Sequence, residues 1–136
     1  MIEKLFNEFS IIVSVFGGFL CSFLGGWDVI LKALVVIIVL DYITGVFKAI
    51  CTKTLSSEVG FKGLIRKIVI FIVVALAVII QEVVGGHIPL REITIMFFVC
   101  NEAISLLENA SEFIPIPKKL KDTLIQLREK EEERNE

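Results

Sequence analysis

Hydrophobic residues along this chain fall into four blocks with short polar breaks between them, the pattern of helices in a bilayer. The first block covers about residues 9–26, with no charged side chain between Phe9 and Trp27. At 1.5 Å per residue it is about 27 Å long, close to the hydrocarbon thickness of a membrane. Trp27 and Asp28 then mark a headgroup level. The second block, about 29–50, has Lys32 near one end and Lys48 near the other, both able to snorkel. The third, about 68–84, is charge-free until Glu82, beside Gln81 at the same end, and Gly85-Gly86-His87-Ile88-Pro89 after it reads as a turn. The fourth, about 93–109, is the least apolar, because Asn101, Glu102, Ser105 and Glu108 interrupt it; Pro115 and Pro117 close it.

The predicted fold class is therefore an all-α integral membrane protein of about four transmembrane helices, or three if the first tract lies flat, with a charged C-terminal helix. Residues 1–114 form the membrane domain and 115–136 a charged cytoplasmic tail. Composition agrees: 55% of the 136 residues are hydrophobic and the mean hydropathy is +0.81, against about 45–50% apolar residues in soluble domains. The opening Met1-Ile2-Glu3-Lys4-Leu5-Phe6-Asn7-Glu8 is a poor positive leader region, so the first tract is expected to be retained. Cys21, Cys51 and Cys100 have no regular spacing and suggest neither a disulfide framework nor a metal site.

Charge sets the expected orientation. The loop after the second block holds Lys48, Lys53, Lys62, Arg66 and Lys67 against Glu58 alone, whereas residues 85–92 balance Arg91 with Glu92. Short basic loops stay cytoplasmic, so with four crossings both termini are cytoplasmic. The same basic residues can meet anionic headgroups. In the tail, Lys118, Lys119, Lys121, Arg128, Lys130 and Arg134 are matched by Asp122, Glu129, Glu131, Glu132, Glu133 and Glu136. Leu120, Leu124 and Leu127 form a narrow stripe there, fitting a solvated helix, a self-association contact or a surface-lying regulatory helix.

Two features carry candidate chemistry. Ser10, Ser14, Gly18, Ser22 and Gly26 recur every four residues, with Gly17, Cys21 and Gly25 beside them. Such rows let helices approach closely in lipid, within one chain or between subunits. The second feature is acid at membrane depth. Asp41, Thr44, Gly45 and Lys48 share one face of the second helix; Asn101, Ser105 and Glu108 form a row on the fourth, with Glu102 and Asn109 at its edge. With each span centred, Asp41 and Glu102 lie near mid-depth and no base lies level with them. The acids are then expected to be protonated, bonded to amide and hydroxyl groups, or exposed to water. Interhelical hydrogen bonding, a water-filled lumen and an ion-coupled transport site all remain open. No nucleophile–base pair, phosphate loop or metal-spaced cluster is present, so neither an enzyme nor a cofactor is expected.

Several of these residues together resemble a known family. Asp41-Tyr42-Ile43-Thr44-Gly45 with Lys48-Ala49, the loop Leu55-Ser56-Ser57-Glu58-Val59-Gly60-Phe61-Lys62-Gly63 followed by Arg66-Lys67, then Asn101-Glu102, Ser105, Glu108-Asn109-Ala110 and Pro115-Ile116-Pro117 are similar to the bacteriophage holin family. That family includes clostridial toxin-secretion and phage-lysis holins. The resemblance covers roughly residues 40–127. It implies a lysis-timing protein that accumulates in the bacterial cytoplasmic membrane and assembles into lesions releasing an endolysin or a toxin. The implied partners are further copies of the chain, the bilayer, that released cargo and an antiholin, with no nucleic acid. A small four-helix transporter and a structural membrane subunit without a pore are the alternatives.

Overall fold

The structure is a computed structural model that describes residues 1–134, so Glu136, counted above among the tail acids, lies outside the described residues. Five helices follow in order: α1 (Ile2–Phe23), α2 (Val29–Cys51), α3 (Ser57–Val83), α4 (Leu90–Ala110) and α5 (Lys118–Arg134). The chain is all-helical, and among the described residues there is no strand. Three helices, α1, α2 and α3, are long and apolar enough to cross a membrane. α4 falls short of that apolarity because of its polar row.

α4 is the centre of the bundle, packing mainly on α2 and then on α5 and α3. One side of each of the three central helices builds the core. Leu31, Leu34 and Ile38 of α2 meet Ile70 and Val74 of α3 and Ile95 of α4. The spacing of three, four or seven residues puts each set on one helical stripe. α1 stands apart: none of its residues is buried, and Leu20 and Phe23 near its end, with Leu24 just after it, line a cleft against Ile68, Phe71 and Ile72 of α3.

Three of the four interhelical connections, those after α1, α2 and α3, begin with the same termination. At the end of α1, Gly26 N–H donates to the Cys21 carbonyl at 2.9 Å and Gly25 N–H to Ser22 at 3.3 Å. After α2, Thr54 donates to Ala49 at 2.9 Å and Lys53 to Ile50 at 3.2 Å; after α3, Gly86 donates to Gln81 at 2.8 Å and Gly85 to Glu82 at 3.1 Å. This paired six-to-one and five-to-two closure needs a left-handed residue, which Gly25 (φ 83°) and Gly85 (φ 86°) supply without strain. At the α2 end the position is held by Lys53 with φ 56°. Lys53→Gly is therefore expected to stabilise the fold by about 1 kcal/mol, read as a raised unfolding midpoint in detergent micelles.

The early end of α1 corrects the small-residue row. Gly26 is not on the helix: it lies in the turn with φ 96°, because the closure at Cys21–Gly26 terminates α1 at Phe23. Ser10, Ser14, Gly18 and Ser22 stay on α1, all exposed. Ser14 and Ser22 turn their hydroxyls back to the carbonyls of Ser10 and Phe19 at 2.7 and 2.6 Å. Among the described residues this face packs on nothing. The tail differs as well. α5 folds back antiparallel to α4, and the side it presents comprises Lys121, Leu124, Ile125, Arg128 and Glu131, while Leu120 and Leu127 are exposed.

Candidate functional site: a buried charged seam

The stripes that build the core do not end in apolar residues. Continuing Leu31–Leu34–Ile38 along α2 reaches Asp41, 4% exposed; continuing Ile95–Phe98 along α4 reaches Glu102, 1% exposed. The stripe of Ile70 and Val74 on α3, followed backwards, reaches Lys67. Lys67 Nζ lies between the two acids and donates to Asp41 Oδ2 and Glu102 Oε2. The expectation that no base stands level with the acids is thus corrected, as is the reading of Lys67 as a lipid-facing topology residue. The physical reason is that α3 begins at Ser57 rather than at the start of its apolar stretch. A rigid helical segment therefore carries the amine inward between α2 and α4.

Asn109 completes the seam from the next turns of α4. Its Nδ2 donates to Asp41 Oδ1 at 3.0 Å, to the Asp41 carbonyl at 3.2 Å and to Thr44 Oγ1 at 3.3 Å. Thr44 in turn donates to the Leu40 and Asp41 carbonyls at 2.9 and 3.0 Å. Two carboxylates share one ammonium, so the group carries more acid than base. A cavity of about 220 Å³ opens beside it, with Tyr42, Gly45, Arg66, Ser105 and Asn109 among its walls. Tyr42 closes one side by donating to the Gly60 carbonyl at 3.2 Å.

The remaining polar residues go elsewhere. Asn101 turns away from the seam, its Oδ1 accepting from Arg128 Nη1 of α5 at 3.5 Å. Glu108 is exposed and lies 3.8 Å from Lys121. Lys48 is 3.7 Å from Glu112, a half-exposed pair contributing under about 1 kcal/mol. Lys53, Lys62 and Arg66 are exposed. Among the described residues no group of His, Cys, Asp and Glu is arranged to hold a metal ion.

At the opposite end of the bundle lies a second charged group that the sequence reading missed. Arg91, 4% exposed, begins α4 and reaches the α1–α2 turn. It donates through Nε to the Leu24 carbonyl, through Nη2 to the Gly26 carbonyl at 3.0 Å, and through both terminal nitrogens to Asp28 at 2.7 and 3.1 Å. Arg91 also lies 3.3 Å from Glu92. Asp28 additionally caps α2, accepting from Leu31 N–H at 3.0 Å. The guanidinium bond from Arg91 holds the Asp28 carboxyl below its ordinary range. Gly25 is required here, since a Cβ on it would lie 2.3 Å from Arg91 Nε. Gln81 at the end of α3 caps α4, its Oε1 accepting from Arg91 N–H at 2.9 Å. The sequence signal for this clasp was an arginine two residues after a Gly-Gly-His-Ile-Pro turn, balanced locally by Glu92.

Comparison with known proteins adds identity to this geometry. Residues 18–129 match the model of the bacteriophage holin family. An uncharacterized 14.9 kDa protein of Clostridium perfringens is 41% identical over 108 residues, covering 78% of this chain and 82% of that one. An uncharacterized protein of Listeria monocytogenes is 39% identical over 111 residues, covering 81% and 79%. A protein of Bacillus phage phi105 described as a probable holin is 34% identical over 95 residues, covering 69% and 70%. No solved structure matches the chain. The match begins within the last turns of α1, where that helix first meets the bundle, and takes in both charged groups. It points to a non-enzymatic membrane protein: the chain belongs to the bacteriophage holin family.

Proposed function

We propose that this chain acts as a holin in the bacterial cytoplasmic membrane. It accumulates there, oligomerises with copies of itself, and assembles into lesions that release an endolysin or a secreted toxin and so time host lysis. An antiholin is a further partner of this scheme. The membrane unit is residues 1–114, with both termini cytoplasmic and residues 115–136 as the cytoplasmic tail; α4 makes a fourth crossing only once the charged α5, which lies along it as far as Asn101, has swung off. The basic loop Lys48, Lys53, Lys62 and Arg66 fixes that orientation. α4, with 21 residues, is about 30 Å long, enough to cross.

The observation that carries the reading is the contrast between the helices in a chain of this family. α1, α2 and α3 expose long runs of apolar side chains, whereas α4 is interrupted by a polar row and α5 is strongly charged. A lone copy satisfies its deepest charges internally, through Asp41, Lys67 and Glu102. In a ring or raft, the α4 row of Asn101, Ser105 and Glu108 lines water, and the Ser10–Ser14–Gly18–Ser22 face of α1 holds neighbours together.

Induced expression with a co-expressed endolysin tests this. A holin produces abrupt lysis after a delay and releases the endolysin. A transporter changes solute tolerance without lysis, and a structural subunit does neither; either outcome overturns the proposal. In the same assay, the paired change Asp41→Asn and Glu102→Gln is expected to shift the onset and alter the oligomers. An unchanged schedule with unchanged oligomers removes the two acids from the switch.

A further inference from the structure

The α2–α3 end of the bundle carries more positive charge than the chain itself answers. Lys53, Lys62 and Arg66 are exposed, and among the described residues none lies within ion-pair reach of an acid. Arg66 is the costly one. Its neighbours Ile65, Ile68 and Val69 are all exposed, and they face lipid where α3 crosses the bilayer. A guanidinium among such side chains needs an anion. The seam supplies none, because Asp41 and Glu102 already share Lys67. Helical side chains lean towards the N-terminus of their helix, so Arg66 reaches back to the level of Lys62, one turn earlier on the same face.

Beside this pair the cavity of about 220 Å³ runs between α2 and α3, from Ala49 and Leu55 near the loop to Asp41 at the seam. It stays open because Gly45, Ala49, Gly60 and Gly63 contribute almost no side chain to its walls. Arg66 stands in the wall, as do Ser105 and Asn109 of α4. Asn109 spends Nδ2 on the seam, while its Oδ1 and the Ser105 hydroxyl bond to no described residue. A cation lacking an anion and polar groups lacking partners thus share one crevice. We propose that this crevice binds one acidic phospholipid with a phosphoglycerol headgroup. The phosphate bridges Arg66 and Lys62, and the glycerol hydroxyls enter the cavity to Ser105 and Asn109. Arg suits the role, since its planar fork takes two phosphate oxygens. Beyond Arg66 the same stripe of α3 continues through Val69 and Val73, both exposed, so the acyl chains follow apolar surface. A choline headgroup fits poorly: it brings its own cation to Arg66 and Lys62 and offers no hydroxyl.

Full-length protein in phosphatidylcholine nanodiscs holding a small fraction of phosphatidylglycerol tests the site, with native mass spectrometry counting the lipid retained. A nearly neutral bilayer minimises general surface attraction. The wild type is expected to retain one phosphatidylglycerol, enriched at least about tenfold over its share of the bilayer. Arg66→Gln is expected to lose about tenfold in retention. Lys53→Gln makes the same charge change outside the cavity and is expected to stay within about twofold of wild type. Ala49→Leu fills the crevice without altering charge and is expected to lose about fivefold. Excess inorganic phosphate is expected to leave the lipid in place; displacement assigns the site to free phosphate and overturns the proposal. Equal retention of the two lipids, equal losses in Lys53→Gln and Arg66→Gln, or wild-type retention by Ala49→Leu also overturns it. Should Ala49→Leu not fold, Arg66→Gln against Lys53→Gln decides. No readout involves lysis, so a chain that binds the lipid yet releases no endolysin fails the holin reading alone.

Discussion

Lys67→Met is expected to be the most damaging single change in the bundle, costing about 3–5 kcal/mol of stability. It removes the one ammonium that Asp41 and Glu102 share and leaves two enclosed carboxyls facing each other. The acids are not equivalent to the base in this respect. Asp41→Asn or Glu102→Gln leaves a matched pair of one acid and one base, and Asn at position 41 retains an oxygen for Asn109. Each is expected to cost no more than about 2 kcal/mol. Removing all three charges together, as Asp41→Asn, Glu102→Gln and Lys67→Met, is expected to recover most of the Lys67→Met loss, since the penalty comes from stranded charge. Unfolding midpoints in detergent micelles rank the four chains. Lys67→Met at the wild-type midpoint, or Asp41→Asn as harmful as Lys67→Met, contradicts the shared-ammonium account.

The second large effect is expected at the other end. Arg91→Leu keeps most of the side-chain volume but leaves the Leu24 and Gly26 carbonyls and the Asp28 carboxylate without their donor. A loss of about 2–4 kcal/mol is expected, discounted for the half-exposed Asp28. Arg91→Lys recovers little, because a single ammonium cannot reach two carbonyls and a carboxylate as the planar fork does. The clasp also has a pH signature. Asp28 is depressed in the folded state by its bond to Arg91, so its contribution is complete above the ordinary carboxylate value near about pH 4. That contribution is lost as pH falls through the lowered one. In Arg91→Leu this acid-side decline shrinks. A decline equal to that of the wild type places it on other carboxylates.

Much of the bundle was legible as pattern. Long charge-free runs marked α1, α2 and α3, and the acids interrupting 93–109 marked α4 as different. Lys67 escaped because the search for a cation stopped at the edges of the apolar runs, whereas a helix does not stop where hydropathy does. Lys67, Ile70 and Val74 already had the three- and four-residue spacing of a buried stripe. Arg91 escaped for another reason: local balance with Glu92 disguised a side chain whose partners lie far back in sequence at Leu24, Gly26 and Asp28. Such pairing depends on tertiary approach, which no local window contains. The fold-back of α5 was hidden in the same way, its contact side being defined by Asn101 and Glu108 rather than by its own leucines.

The common closure of the three turns bears on how the bundle sits in its solvent. Each turn binds two of the carbonyls that a helix end leaves open, using the chain's own N–H groups. Backbone groups closed in this way do not require water, so the turns tolerate headgroup or deeper surroundings at little hydrogen-bond cost. On the proposed topology, vertical position is then governed by side chains: Trp27 and the Asp28–Arg91 clasp at one boundary, and Lys62 and Arg66 at the other. Local thinning of the bilayer acts on those anchors, and the hairpins follow as rigid caps.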